Sequence, residues 1–185
     1  DLLEPALGQR PYSVVGNSDF GFSADVQCMI KNTLEGTVDT GKMIGALQRQ
    51  VGMSGVQTFT QSTVKEIKDG ANGKTVHVQT ANGPVDLKAE KVALCTNAFS
   101  KDFFPEADMQ PGRGMVLVTK PNPAFNWEGS FHYNDGYHYF RTVDDRLLLG
   151  GGRQLDLESE NTTEAGINDY IKAQLLEDMH SFIAP

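Results

Sequence analysis

The chain is poor in cysteine, tryptophan and positive charge, and each shortage narrows what it can be. Only two cysteines, Cys28 and Cys95, occur in 185 residues. They stand far apart, with no CxxC pair and no Cys/His ligand spacing. They therefore read as two buried, reduced thiols and not as a disulfide framework or a metal site. Lysine and arginine total 16 against 24 acidic residues, a formal net charge of -8. The basic residues are scattered, so nucleic acid and anionic membranes are poor electrostatic partners. No apolar stretch approaches the roughly 18 residues of a membrane span, and no secretory leader pattern opens the sequence, which makes cytoplasmic the default. The start at Asp1-Leu2-Leu3 and the end at Ile183-Ala184-Pro185 both read as cuts in a longer protein.

What is present suits a folded domain. Hydrophobic residues make up 39% and charged residues 22%, enough for one core or two small lobes. Residues 1–33 carry little pattern beyond Gly16 and Gly21 and a short apolar run at 26–30. A helix is expected over 40–52: Asp39 is a good N-cap, and Met43, Ile44, Leu47 and Val51 fall on one stripe. Residues 56–60 read as a short strand. A meander follows, with strands at 63–68 and 75–80, Asn82-Gly83 as a hairpin turn, and Val85 and Leu87 continuing it. Residues 91–95 form a continuous apolar run, the pattern of a strand buried on both faces in a parallel sheet.

Pro105 and Pro111 then mark a lobe boundary. Strands are expected at 114–119, 130–133, 137–143 and 146–150, with turns at Asn134-Asp135-Gly136 and Asp144-Asp145. A closing helix over 163–182 would bury Ile167, Tyr170, Ile171, Leu175, Met179 and Phe182, capped by Asn161, Thr162 or Thr163. The expected fold is an α/β lobe over 34–104, joined to an α+β lobe over 111–185. The second lobe has an antiparallel sheet and flanking helices, and residues 1–33 pack on it.

Six stretches, in this order, carry a resemblance. They are Gly36-Thr37-Val38-Asp39 before a helix with Gly55-Val56-Gln57 after it, Thr63-Val64-Lys65 opening a meander, and residues 91–100 ending in Cys95-Thr96-Asn97-Ala98. The others are Pro111-Gly112-Arg113-Gly114-Met115, Gly136-Tyr137-His138-Tyr139-Phe140-Arg141, and Leu147-Leu148-Leu149-Gly150-Gly151. Together they resemble the flavin-dependent oxidoreductases of the D-amino-acid oxidase, glycine oxidase and sarcosine oxidase family. The family's GxGxxG turn, which seats a pyrophosphate on a helix N-terminus, does not occur here. The triplet Gly150-Gly151-Gly152 does not replace it, because no helical pattern follows at the right distance. The resemblance therefore implies an internal piece of such an enzyme, binding FAD weakly or not at all by itself.

The resemblance also implies site residues. The main chain at Val64 would read an adenine edge, with a plain core valine as the alternative. Cys95, Thr96, Asn97 and Ala98 would let the backbone approach the dinucleotide. Arg113 and Gly114 would lie near the flavin, although Met115 stands where a Gln is usual. In a strand, Tyr137, Tyr139 and Arg141 share one face, since side chains alternate; two phenols and a guanidinium suit an amino-acid carboxylate. Any half-buried strand shows such a period, so a structural role remains the alternative; His132 and His138 are further candidates, His138 pointing opposite to the tyrosines. Leu148 stands near the position where sarcosine-oxidase-like members carry a lysine that helps oxygen react, which leaves oxidase and dehydrogenase equally open. The implied activity is hydride transfer to FAD from the C–H bond beside the nitrogen of an amine or amino acid, in a protein that can form oligomers. The rival readings are a non-catalytic binding or assembly subunit on the same scaffold, and an unrelated α+β ligand-binding domain.

Overall fold

The computed structural model describes residues 3–18 and 20–184. In chain order the elements are α1 (Glu4–Leu7), β1 (Tyr12–Val15), β2 (Met29–Asn32), α2 (Thr40–Met53), β3 (Ser62–Gly70), β4 (Gly73–Thr80) and β5 (Gly83–Ala89). These precede β6 (Met115–Val118), β7 (Ser130–Tyr133), β8 (His138–Val143), β9 (Arg146–Gly151), α3 (Leu157–Glu160) and α4 (Asp169–Asp178). The result is a mixed α/β protein, and every strand pairing among the described residues is antiparallel. The chain divides into two compact units. One holds the described residues up to Thr37 and from Pro111 onward; the other holds Val38–Gln110.

The first unit is built on a four-stranded sheet of order β6-β9-β8-β7. One face is apolar and carries the core: Met115, Phe140, Leu147 and Leu149 pack with Ile171 and Leu175 of α4, with Ile183 and with Phe22. Phe131 and Phe140, paired across β7 and β8, stack with centroids 4.7 Å apart. Phe22 meets both edge-on, at 5.4 and 5.5 Å. Such aromatic contacts add roughly 0.5–1.5 kcal/mol each beyond their buried area. The turns between strands follow their residues. Asp144 and Asp145 both take positive φ, 49° and 55°, as the tight hairpin between β8 and β9 requires.

Two expectations for this unit are corrected. The closing helix begins at Asp169, not near 163, because Asn168 is the residue that caps it: its Oδ1 accepts from the Tyr170 and Ile171 N–H groups. Ile167 and Tyr170, expected in the buried stripe, are consequently exposed. Tyr137 lies in the turn before β8 and not in the strand. Asn134, Asp135 and Gly136 all have positive φ, so the chain is still turning when it reaches Tyr137.

The second unit holds the meander β3-β4-β5 and the helix α2. Asp39 caps α2 by accepting from the Lys42 N–H at 2.9 Å. No residue of α2 is buried, and the Met43, Ile44, Leu47 and Val51 stripe is exposed. Val76 and Val78 of the central strand are buried between Ile67 and Val64 of β3 and Leu87 and Val85 of β5. Residues 56–60 and 91–95 form no strand. An apolar run specifies burial, but a strand also needs a neighbour to take its N–H and C=O groups, and no described strand pairs with either segment. Residues 91–95 alternate in exposure, so the expected burial on both faces is corrected to one-sided burial. Cys28 and Cys95 are free and exposed, which corrects their expected burial.

Candidate functional site

The face of the four-stranded sheet opposite the core is open, and the ladder registers fix what it displays. One row across it is Val116, Gly150, Tyr139 and His132; the next is Val118, Leu148, Arg141 and Ser130. Tyr139 and Arg141 are thus neighbours on one face, and the alternation of exposure along β8 agrees. His138 and Phe140 are buried, whereas Tyr139 is exposed and Arg141 half-buried. Tyr137, exposed in the turn, is tied to the end of the same sheet. Its C=O accepts from the Gly152 N–H at 3.1 Å, and at Gly151, with φ 113°, a Cβ would stand 2.1 Å from that same oxygen. Ser130 shares a 2.9 Å hydroxyl hydrogen bond with Thr37. His132 lies beside Tyr139, with ring centroids 6.3 Å apart.

The core-facing side of β8 carries a second polar arrangement. His138 is 2% exposed and stacks on Tyr133 at 4.9 Å. The Tyr133 hydroxyl donates to Asp178 at 2.6 Å, and Gln174 donates to the other carboxylate oxygen at 3.0 Å. Burial and the Asp178 hydrogen bond push the Tyr133 phenol well above its usual value. Burial holds His138 below its ordinary range, with the Asp178 charge opposing. The His138 Nδ1 contacts the Asn134 amide nitrogen at 3.3 Å, and its Nε2 has no partner among the described residues.

Arg113 is turned to Glu160. Its Nε and Nη2 donate to the two carboxylate oxygens at 3.0 and 2.7 Å, and Nη1 donates to the Glu164 C=O at 3.2 Å. Glu160 is fully buried. Asn168 adds a third donor to it at 3.0 Å and also donates to Asp156. Hydrogen bonding from Arg113 holds the Glu160 carboxyl below its usual range, against the opposing effect of burial. Gly114 follows on the exposed side, leading into β6. Reading the sequence alone missed Glu160, since Glu158-Ser159-Glu160 looks like a solvated surface run. The signal that marks it, the partner Arg113, lies 47 residues away.

In the second unit, Val64 sits on β3, an edge strand, beside a bulge between Val64 and Glu66. Alternate N–H and C=O groups of an edge strand face away from the sheet, and a bulge re-aims them. That donor and acceptor set fits a group read by main chain, as an adenine edge is. Thr96 shares a hydroxyl hydrogen bond with Ser100 at 3.1 Å. Asn97 has φ 45° and opens a 3-10 turn, Asn97–Asp102. Cys95, Asn97 and the small Ala98 therefore form a sharp turn with little side-chain bulk around the backbone. Among the described residues no group of three or more His, Cys, Asp or Glu could hold a metal. None of the described helices is long and apolar enough to cross a membrane.

The family model for FAD dependent oxidoreductases (DAO) matches residues 19–185, and the chain belongs to that family. The chain is 29% identical over 116 residues to an N-methyl-L-tryptophan oxidase from Escherichia coli (strain SMS-3-5 / SECEC), covering 56% of this chain and 30% of the relative. To the enzyme of the same name from Escherichia coli O17:K52:H18 it is 26% identical over 133 residues, covering 65% and 33%. The chain thus spans about a third of these relatives' length. Among solved structures, OxyS anhydrotetracycline hydroxylase from Streptomyces rimosus aligns over 78% of this chain and 31% of its own, with 12% identity. The TM-score of that alignment is 0.45.

Proposed function

We propose that this chain supplies the substrate-binding sheet, and part of the FAD-binding lobe, of an oxidoreductase that oxidises the C–N bond of a small amine or amino acid. The observation that supports this most is the pairing of Tyr139 with Arg141 on the open sheet face, in a chain of the FAD dependent oxidoreductase family. Bound FAD would supply the hydride acceptor for the C–H bond beside nitrogen, leaving an imine that water would hydrolyse. The chain's own task is to bind and orient. Arg141, with five donors in a planar fork, holds the substrate carboxylate. The Tyr139 ring provides an apolar floor with a phenol at its edge, and Tyr137 closes the end of the face. Val116, Val118 and Leu148 exclude water along the β6 side. Val64, Cys95, Thr96, Asn97 and Ala98 are assigned to the dinucleotide through their main chain. Arg113 is assigned to anchor the Gly112–Gly114 segment through Glu160, and Gly114 to let that segment approach the flavin. A cytoplasmic location belongs to the same reading.

The test is anaerobic reduction of the complete, flavin-loaded protein to which this chain belongs, by amines and N-methyl amino acids, followed at the flavin absorbance. Arg141→Met should raise KM for carboxylate-bearing substrates by roughly tenfold or more and leave simple amines little changed. Equal effects on both substrate types, or none, would exclude Arg141 from carboxylate binding.

A further inference from the structure

Gly150 lies on the open face yet is buried, and what covers it is the Tyr139 ring. A Cβ built on Gly150 would stand 2.6 Å from both Cζ and the hydroxyl oxygen of Tyr139, and 2.8 Å from Cε2. These distances put the phenol end of the ring across β9, over the Gly150 backbone, leaning from β8 towards the β6 side where Val116 stands in the same row. Carbon atoms separate by about 3.5 Å at contact, so any side chain at 150 would have to lift the ring by about 1 Å. Glycine is the residue whose own bulk leaves that arrangement possible.

We infer that Gly150 is a specificity-determining positioning residue: by lacking a Cβ it lets the Tyr139 ring lie down against the sheet, and so leaves the height above the face that a bulky or planar substrate side chain occupies. The inference rests on the substrate-face reading given above. With the ring lowered onto β9, the space above it admits an indole, phenyl or similar group in aromatic contact, at centroid separations of about 4.5–7 Å. With the ring propped up, the same volume holds only a small substrate. Gly150 touches no substrate in this arrangement; it acts through Tyr139.

The experiment compares two substrates in the complete, flavin-loaded protein to which this chain belongs, N-methyltryptophan as the bulky one and N-methylglycine as the small one. The readout is the ratio of their kcat/KM values. Any loss of folded or flavin-loaded protein cancels in that ratio, so lost stability alone does not move it. Gly150→Ala should lower the bulky-to-small ratio by roughly tenfold or more, the size of effect a misfit of one methyl group produces in a binding pocket. In a Tyr139→Ala background, the same substitution should leave the ratio unchanged, because no ring remains to be lifted. An unchanged ratio in Gly150→Ala alone, or an equal change in both backgrounds, overturns the inference.

Thermal denaturation of the same four proteins reads the contact without substrate. Gly150→Ala should lower Tm in the parent and far less in Tyr139→Ala. If neither amine reduces the flavin, the amine-oxidation reading fails, and substrate discrimination by Gly150 fails with it. If the amines react but the thermal coupling is absent, only the Gly150 inference is lost.

Discussion

Arg113 and Glu160 are joined three times: by two side-chain hydrogen bonds, at 3.0 and 2.7 Å, and by a main-chain one from the Arg113 N–H to the Glu160 C=O at 2.8 Å. The carboxylate is fully buried, while the guanidinium keeps some contact with solvent, its side chain being 21% exposed. The pair fastens the strand entry at β6 to α3, and through Asn168 to the cap of α4.

This relationship sets an acid limit on stability. The folded-state pKa of Glu160 is depressed, so its contribution is present above the ordinary carboxylate value of about 4.3 and is lost as pH falls through the folded value. Asp156 is shifted the same way by its hydrogen bonds from Asn168 and Ser159. Glu160→Gln should lower Tm at pH 7 by roughly 5 °C or more and flatten the fall below pH 4.5. Thermal denaturation between pH 3 and 7 measures both. Parallel curves for parent and variant would mean that Glu160 does not set the acid limit.

His138 sets a second pH dependence, nearer neutrality. Its folded-state pKa lies below the ordinary value of about 6.5, so the unfolded chain binds the extra proton first. Stability should therefore fall as pH drops from about 6.5 towards the folded value, and level off below it. The groups facing the ring are Tyr133 and Asn134, with Asp178 beyond Tyr133 as the nearby charge that partly opposes the shift. His138→Phe keeps a ring to stack on Tyr133 and removes the titration. Its urea midpoint should be level between pH 5.5 and 7, where that of the parent slopes; a slope retained in the variant would assign it to another group.

How far the sequence could be read depended on whether a feature was local. Asp39 as a cap, the Asn82-Gly83 hairpin and the alternation at Val76 and Val78 are decided within a few residues, and the structure has all three. The strand pattern also placed Tyr139 and Arg141 on one face, because period two needs no partner to be known. The run at 91–95 was misread because apolarity reports burial and not hydrogen-bond partners. The start of α4 was misread because Asn161, Thr162, Thr163 and Asn168 are all chemically apt caps. Asn168 is the one whose side chain also bonds Asp156 and Glu160, a tertiary fact. The constraint on Gly150 is likewise tertiary, because it is set by the Tyr139 ring that lies across it.

The cap of α2 offers a test confined to one helix. Asp39 Oδ1 accepts from the Lys42 N–H, and no residue of α2 is buried, so packing does little to hide the loss of a cap. Asp39→Ala should cost about 1 kcal/mol of local helix stability, speeding amide exchange at Lys42 and Met43 by roughly fivefold. Asp39→Asn, which keeps the acceptor, should exchange nearly as the parent does. Similar rates in all three proteins would mean that the side-chain bond does not limit opening of the first turn.

The hairpin joining β8 to β9 contains room for improvement, and improving it is a sharp test of the turn geometry. Both central residues are aspartates in the left-handed region, at φ 49° and 55°, closed by the Val143–Arg146 pair. A residue with a Cβ is strained there, less so for Asp than for most, and two adjacent carboxylates repel each other in an already acidic chain. Replacing Asp144 by Asn and Asp145 by Gly gives the preferred pair for this turn and removes both charges. The main-chain bond from the Asn122 N–H to the residue 145 C=O does not depend on the side chain and should persist. The double variant should be more stable by a few tenths to about 1 kcal/mol, the loss of strain outweighing the added freedom of glycine in the unfolded chain. Asp145→Val, with a branched Cβ at the same φ, should be destabilised by more than that. Urea denaturation decides the matter by sign: a loss of stability in the Asn-Gly variant would show that the turn does not hold this left-handed geometry in solution.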